Sequence, residues 1–364
     1  MKFSINQNEF NNTLTVVSKG AATRSTLPIL SGILIKAFDN MLILEATDMD
    51  QSIRCSCPAL IEEEGETVVP ARLLTDIVKN LPDAAIHFSY SEDAATVLCD
   101  TSSFSLKTLQ ASDFPGFPEA EEQNCINLPF KTFSSMVKKV SRAVSRDDSN
   151  PILSGVLLQV ENNVLRMVAT DSRRLSLCEA ELETPSEEFS AVISGTFLND
   201  LASLLGEYEQ ITLALSENQI IAKYGSYTFI NRRIEGNYPP YNQLLTGEFT
   251  THITFNTQQL LQAIKRVSLV SSNTSPVRFD LNQASQTTQL SSTTKDVGAA
   301  QETISSQIEG EDIQIAFNSR YLIDGLSTID DEIITLDLLS NLKQGIFRNQ
   351  DGSFIYLLMP VRFS

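Results

Sequence analysis

Two short stretches of this chain occur twice in the same register. Pro28-Ile29-Leu30-Ser31-Gly32 returns as Pro151-Ile152-Leu153-Ser154-Gly155, and Ala46-Thr47-Asp48 returns as Ala169-Thr170-Asp171, both at an offset of 123 residues. An internal repeat restricts the fold more than any single motif, because each copy must be one structural unit. The register extends in both directions and finds a third copy. Phe3, Ile5 and Phe10 align with Ile126, Leu128 and Phe133, and these with Ile253, Phe255 and Leu260. Val17-Ser18 returns as Val140-Ser141 and Val267-Ser268. Leu73, Leu74 and Asp76 return as Phe197, Leu198 and Asp200, then as Tyr321, Leu322 and Asp324. Phe104 returns as Phe229 and Phe354. The chain reads as three copies of one domain, with boundaries at 1–124, 125–250 and 251–364.

Each copy follows one pattern. An alternating strand (Lys2 to Ile5, Cys125 to Leu128, His252 to Phe255) leads into a helix with apolar residues three and four apart. Strands follow, such as Ile33 to Ala37, Met41 to Ala46 and Gln51 to Ser56, with hairpin turns expected at Asp39-Asn40 and Glu161-Asn162-Asn163. The second half repeats the scheme. Strands at Thr67 to Val69, Ser190 to Ile193 and Gln314 to Phe317 precede helices at Ala71 to Asn80, Gly195 to Leu205 and Ser319 to Leu326. Ser194 and Asn318 are good N-cap residues for the last two. Strands then resume at Phe104 to Leu109, Phe229 to Ile234 and Phe354 to Met359. The expected fold class is α+β, each domain being two strand-helix-strands half-units. A 42% apolar content supplies each unit with a core of its own.

Several function classes drop out. The apolar runs are too short to span a bilayer, and Met1-Lys2-Phe3 leads straight into a strand pattern with no signal peptide, so a cytoplasmic protein is expected. The five cysteines are scattered, no C-x-x-C pair occurs and there are two histidines, so no metal or cofactor is expected. No nucleotide-binding, serine-hydrolase or zinc-protease motif is present. Asp48 and Asp171 resemble an acid pair, but they are equivalent positions of separate copies and read as turn residues. The chain is not expected to be an enzyme.

The charge is unevenly spread. The net charge of −18 opposes contact with nucleic acid. Yet the six repeated helix stretches hold ten basic residues, Lys19, Arg72, Lys131, Lys138 and Arg142 among them, against four acids. Six helices per chain make twelve in a dimer. Twelve helices side by side at about 8–10 Å close a circle roughly 31–38 Å across. Subtracting a helix diameter of about 10–12 Å leaves an opening of roughly 20–28 Å, wide enough for duplex DNA. The competing reading is a repeat-built scaffold that binds proteins and never DNA.

The residues resemble the β subunit of bacterial DNA polymerase III, the sliding clamp family, along the whole chain. The resemblance rests on the N-terminal Met1-Lys2-Phe3, Thr26 to Leu30, Val69 to Arg72, Asp113-Phe114-Pro115, Val168 to Asp171 with Arg174-Leu175, Tyr238-Pro239 and Met359 to Arg362. It implies that each chain forms half of a closed ring, helices inside and sheets outside, as a head-to-tail homodimer encircling duplex DNA non-specifically. It implies a processivity factor without catalytic residues. Its partners would be the polymerase III α subunit, the clamp-loader δ subunit, and other polymerases or repair proteins carrying a clamp-binding peptide.

By motif, that peptide would enter an apolar pocket between the second and third domains. From the second domain it would involve Leu153, Thr170, Ser172, Arg174 and Leu175. Pro239 and Leu244 would come from the linker, and Leu357, Met359, Pro360, Val361 and Arg362 from the chain end. Leucine, methionine and proline suit desolvated walls for an inserted aromatic or leucine anchor. Arg173 and Gln243 depart from the family pattern, replacing a common histidine and a common basic residue. The third copy lacks both repeated motifs, so a second pocket in the first domain pair is not expected. For DNA, Arg24 and Arg72 match family positions, Arg146 lies in the loop before the second PILSG, and Lys138, Lys139 and Arg142 follow from the helix argument. For the dimer, Phe104 and Leu106 on an edge strand should meet Leu269 and Val270 of the other subunit.

Overall fold

The computed structural model of the chain describes residues 1–119, 123–147, 149–204, 208–270, 276–295 and 297–362. Antiparallel strands dominate, with helices α1 (Gln7–Val17), α2 (Ala71–Asn80), α3 (Phe130–Val140), α4 (Gly195–Ala202), α5 (Asn242–Leu245), α6 (Thr257–Val267) and α7 (Ser319–Leu326). The α2 and α7 bounds are those the periodicity predicts. The predicted end of α4 at Leu205 lies outside the described residues, and α4 as described stops at Ala202. The single turn α5 and the short strands Leu60–Glu63 and Gln307–Glu309 carry too little periodicity to be read in advance.

Short polar side chains start several of the helices, α4 and α7 as expected. The Asn318 carboxamide oxygen accepts from the Tyr321 N–H at 3.1 Å and the Ser194 hydroxyl from the Phe197 N–H at 3.4 Å. Asn6 and Asn256 cap α1 and α6 in the same way. Three of the aligned apolar positions face the core in every copy. Phe3, Ile126 and Ile253 are buried, as are Phe10, Phe133 and Leu260, and Leu74, Leu198 and Leu322. Burying a side chain of this size contributes about 1.5–3 kcal/mol, which accounts for apolar residues recurring there.

The repeated motifs serve as corners. Pro28–Ser31 and Pro151–Ser154 each form one 3-10 turn, closed by a serine hydroxyl that donates to the proline carbonyl at 2.7 Å. The following glycine begins a strand where a Cβ would collide with Val68 at Gly32 and with Val192 at Gly155. In the hairpins, Asp39 and Asn40 adopt φ of 50° and 58°, and Asn162 and Asn163 adopt 50° and 64°. These are type I′ turns, whose twist matches the flanking strands.

The chain forms two compact units, Met1–Phe130 with Ser203–Arg233 and Lys131–Ala202 with Ile234–Ser364. In the first, an eight-stranded sheet draws on two copies. Tyr227–Arg232 of the second copy pairs with Gln51–Pro58 of the first, setting Phe229 opposite Ile53. In the second unit, a nine-stranded sheet does the same. There Phe354–Leu358 of the third copy pairs with Arg174–Glu181 of the second, setting Leu357 opposite Leu175. Smaller sheets of five and four strands complete the units. Their edges include Ser102–Lys107 in the first unit and Gly298–Ser305 in the second.

Candidate partner pocket and nucleic-acid interface

The repeated Ala-Thr-Asp builds a turn, twice in the same way. Thr47 donates its hydroxyl to the Gln51 carbonyl at 2.9 Å, and Thr170 to the Arg174 carbonyl at 2.7 Å. A carboxylate oxygen of Asp48 accepts from the Asp50 and Gln51 N–H groups, and one of Asp171 from the Arg173 and Arg174 N–H groups. The turn puts Met49 at φ 81° and Ser172 at φ 69°. Both aspartates are thus occupied by backbone, the turn role expected of them.

In the second unit this turn borders an apolar cluster. Leu157, Val168, Leu175, Leu177, Val192, Tyr241, Ile346 and Leu357 are its buried members, with Ile152, Ile234, Tyr238, Leu245, Phe249 and Ile355 packed against them. The linker crosses it, held where the Tyr238 hydroxyl donates to the Val168 carbonyl at 3.2 Å and the Tyr241 hydroxyl to Gln159 at 2.7 Å. Burial pushes the Tyr238 phenol above its ordinary range. The chain end runs along the same turn, the Met359 N–H donating to the Arg173 carbonyl at 2.9 Å and the Val361 N–H to Ala316 at 2.8 Å.

Sorted by position, the expected pocket residues fall into three groups. Leu175 and Leu357 are cross-strand partners within the cluster, and Leu153 is buried beside Ile152. Pro239, Leu244, Met359 and Arg362 are exposed, and Pro360 and Val361 half-buried, so they offer surface rather than core. Thr170 and Ser172 form the turn. Arg174 stands apart from these groups. It alternates with Leu175 along its strand and so points to the opposite face of the sheet. There it pairs with Asp171 at 2.9 Å and Asp324 at 2.8 Å and lies over the Tyr321 ring. Burial works against its charge, but Tyr356, Asp324 and Asp171 hold the guanidinium above its ordinary value. Arg174 braces the sheet behind the cluster instead of lining it. Tyr238 and Tyr241 were not among the expected pocket residues, although their Tyr-Pro-Pro-Tyr spacing is visible in the sequence.

The basic residues divide between the units. In the first, Arg24 is exposed, and Arg72, with a 96% exposed side chain, begins α2 beside a cavity of about 680 Å³ lined by Ala22, Thr23 and Asp76. In the second, Lys138 is exposed at the end of α3, while Lys139 lies over the Phe354 ring. Arg142 donates to Ser327 at 3.2 Å and approaches Asp324 to 3.7 Å. Arg146 lines a cavity of about 420 Å³ with Arg173, Arg174 and Arg320. At the expected dimer positions, Phe104 is exposed but Leu106 on the same face is buried and serves the core of its own unit. Leu269 is 83% exposed and Val270 half-buried.

Comparison with known proteins agrees along the whole chain. Residues 1–118, 127–240 and 242–362 match the family models of the DNA polymerase III beta subunit N-terminal, central and C-terminal domains. The chain is 32% identical to the beta sliding clamp of Streptomyces coelicolor and 31% identical to that of Bacillus subtilis, covering all of each. It superposes on the crystal structure of the sliding clamp from Bacillus subtilis with a TM-score of 0.95 at 30% identity, all of both chains covered. A Pseudomonas aeruginosa clamp bound to griselimycin gives 0.93 at 28%, again over both full chains.

Proposed function

The chain belongs to the DNA polymerase III beta subunit family, the beta sliding clamps, and from that premise we propose that it is a non-catalytic, cytoplasmic processivity factor. Two copies close head to tail around duplex DNA and tether the polymerase through the apolar cluster. The repeats 1–124, 125–250 and 251–364 are the three domains of each half-ring.

One observation carries the reading. Two of the three equivalent strand seams are filled within the chain: Tyr227–Arg232 against Gln51–Pro58, and Phe354–Leu358 against Arg174–Glu181. The third has its halves at opposite ends of the repeat. Ser102–Lys107 and Gly298–Ser305 each lie at a sheet edge, with a strand neighbour on one side among the described residues. A second copy supplies the missing partner to both, as a head-to-tail contact that closes on itself demands. Exposed Leu269, in the short turn Ser268–Val270 that touches Gly298–Ser305, and exposed Phe104 flank that junction. Pairing the edges also protects them from misassembly.

The basic residues Arg24, Arg72, Lys138, Lys139, Arg142 and Arg146 support a phosphate-facing surface. Long, exposed cations bind phosphate without reading bases, which permits sliding. Exposed Met359 and Leu244 and the buried leucines of the cluster suit an apolar peptide anchor, the shape in which the α subunit, the loader δ subunit and repair proteins would attach. The test is retention on nicked circular DNA after loading, before and after linearisation. Release on linearisation is expected. Equal retention on both forms would reduce the protein to a surface binder, and none on either, with an active loader, would leave the scaffold reading.

A further inference from the structure

We propose that Arg348 is a positioning residue for the pocket, fixing the loop that carries Leu244 by gripping the carbonyl of the next residue. The proposal rests on the pocket reading above. The linker is tied to sheet at both ends, the Ile234 N–H donating to Val192 at 2.8 Å and the Thr250 N–H to Leu338 at 3.0 Å. Between them, α5 is one turn of four residues, far too short to hold its own shape. Its terminal carbonyls need partners from outside the turn.

Two side chains supply them. Gln344 donates its Nε2 to the Leu244 carbonyl at 3.1 Å, and Arg348 donates an Nη to the Leu245 carbonyl at 3.4 Å. Arg348 is itself aimed. Its Nε donates to one Asp337 carboxylate oxygen at 3.2 Å, while the His252 ring nitrogen Nδ1 meets the other at 2.7 Å. His252 lies directly opposite Asp337 across paired strands, and Arg348 lies diagonally from it on the next strand, so the three form one row. That row shares a sheet face with Ile346, against whose cluster Leu245 packs. Leu245 is therefore held both by its side chain, against the cluster, and by its carbonyl, and the neighbouring Leu244 is left 44% exposed. Arg348 uses two separate nitrogens of its planar fork for the carboxylate and the carbonyl, a fixed spacing that the single ammonium of lysine does not reproduce.

The test titrates full-length protein into a fluorescein-labelled hexapeptide with leucine and phenylalanine anchors, read by anisotropy. Arg348→Ala should weaken binding about tenfold, and Arg348→Lys should fail to restore it. The loss in Leu244→Ala/Arg348→Ala should fall short of the product of the single losses, because Arg348 acts through the Leu244 loop. A merely destabilising substitution would multiply. Unchanged affinity in Arg348→Ala, or full multiplication, overturns the proposal. If the parent protein fails to bind the peptide, the pocket reading falls, and amide exchange still decides on Arg348: residues 242–247 should exchange faster in Arg348→Ala, and unchanged exchange there overturns it. Should Arg348→Ala not fold, Gln344→Ala, a change at the exposed partner grip, should show the same weaker binding and faster exchange, and parental values in both would overturn it.

Discussion

Arg174 has two carboxylates within ion-pair distance, Asp171 at 2.9 Å and Asp324 at 2.8 Å, and a side chain 9% exposed. Truncating it leaves both acids in a dry setting, so Arg174→Ala should lower unfolding stability by about 3 kcal/mol in urea melts. Arg72 stands at the other extreme, with its Asp76 contact at 3.9 Å open to water. Arg72→Ala should leave stability within about 0.5 kcal/mol, yet weaken DNA retention and lower the salt slope of binding by about 1. The thiols divide by burial as well. Burial pushes Cys57 up to about 12 and Cys178 up to about 11 from the ordinary 9.0, while Cys125 is exposed. A thiol reagent at pH 8 should label Cys125 ahead of those two. The sign for stability follows: the unfolded thiols ionise first, so stability is intact below about pH 9 and falls as pH rises toward 12.

At the scale of elements, the same strand has different fates in the three copies. Phe229 and Phe354 are buried, but Phe104, their equivalent, is 39% exposed because its strand is a sheet edge. On the proposed closure, Leu269→Asp places a charge at the junction and should shift the sedimentation profile from dimer to monomer at micromolar concentration, with an unchanged circular-dichroism spectrum. A dimer that survives the substitution would argue against this seam. Gly155 belongs to the same scale. A methyl group there meets Val192, so Gly155→Ala should destabilise by about 1–3 kcal/mol through overpacking.

For the whole molecule, a net charge of −18 coexists with basic helix surfaces. On the proposed reading, long-range repulsion keeps DNA from most of the exterior, and the exposed cations meet its phosphates at short range. Protein loaded on closed circles should stay bound as salt is raised, because topology does not depend on counterions whereas phosphate contacts do. The second copy contributes Lys131–Ala202 to one compact unit and Ser203–Arg233 to the other, so structural units and repeat boundaries differ.

What the chain determined by itself is local and periodic. The three copies, the helix bounds of α2 and α7, the type I′ turns and the buried Phe10, Phe133 and Leu260 were all legible, because spacing and residue type act over a few residues. The motifs also marked two members of the apolar cluster, Leu175 and Leu357. Tertiary structure decided the rest, since sheet pairing joins residues far apart in sequence. It turned Arg174 away from the cluster, buried Leu106 while exposing Phe104, and brought Arg348 and Gln344 onto a loop about a hundred residues earlier. No local pattern marks such residues, because their partners are carbonyls, and every residue has one.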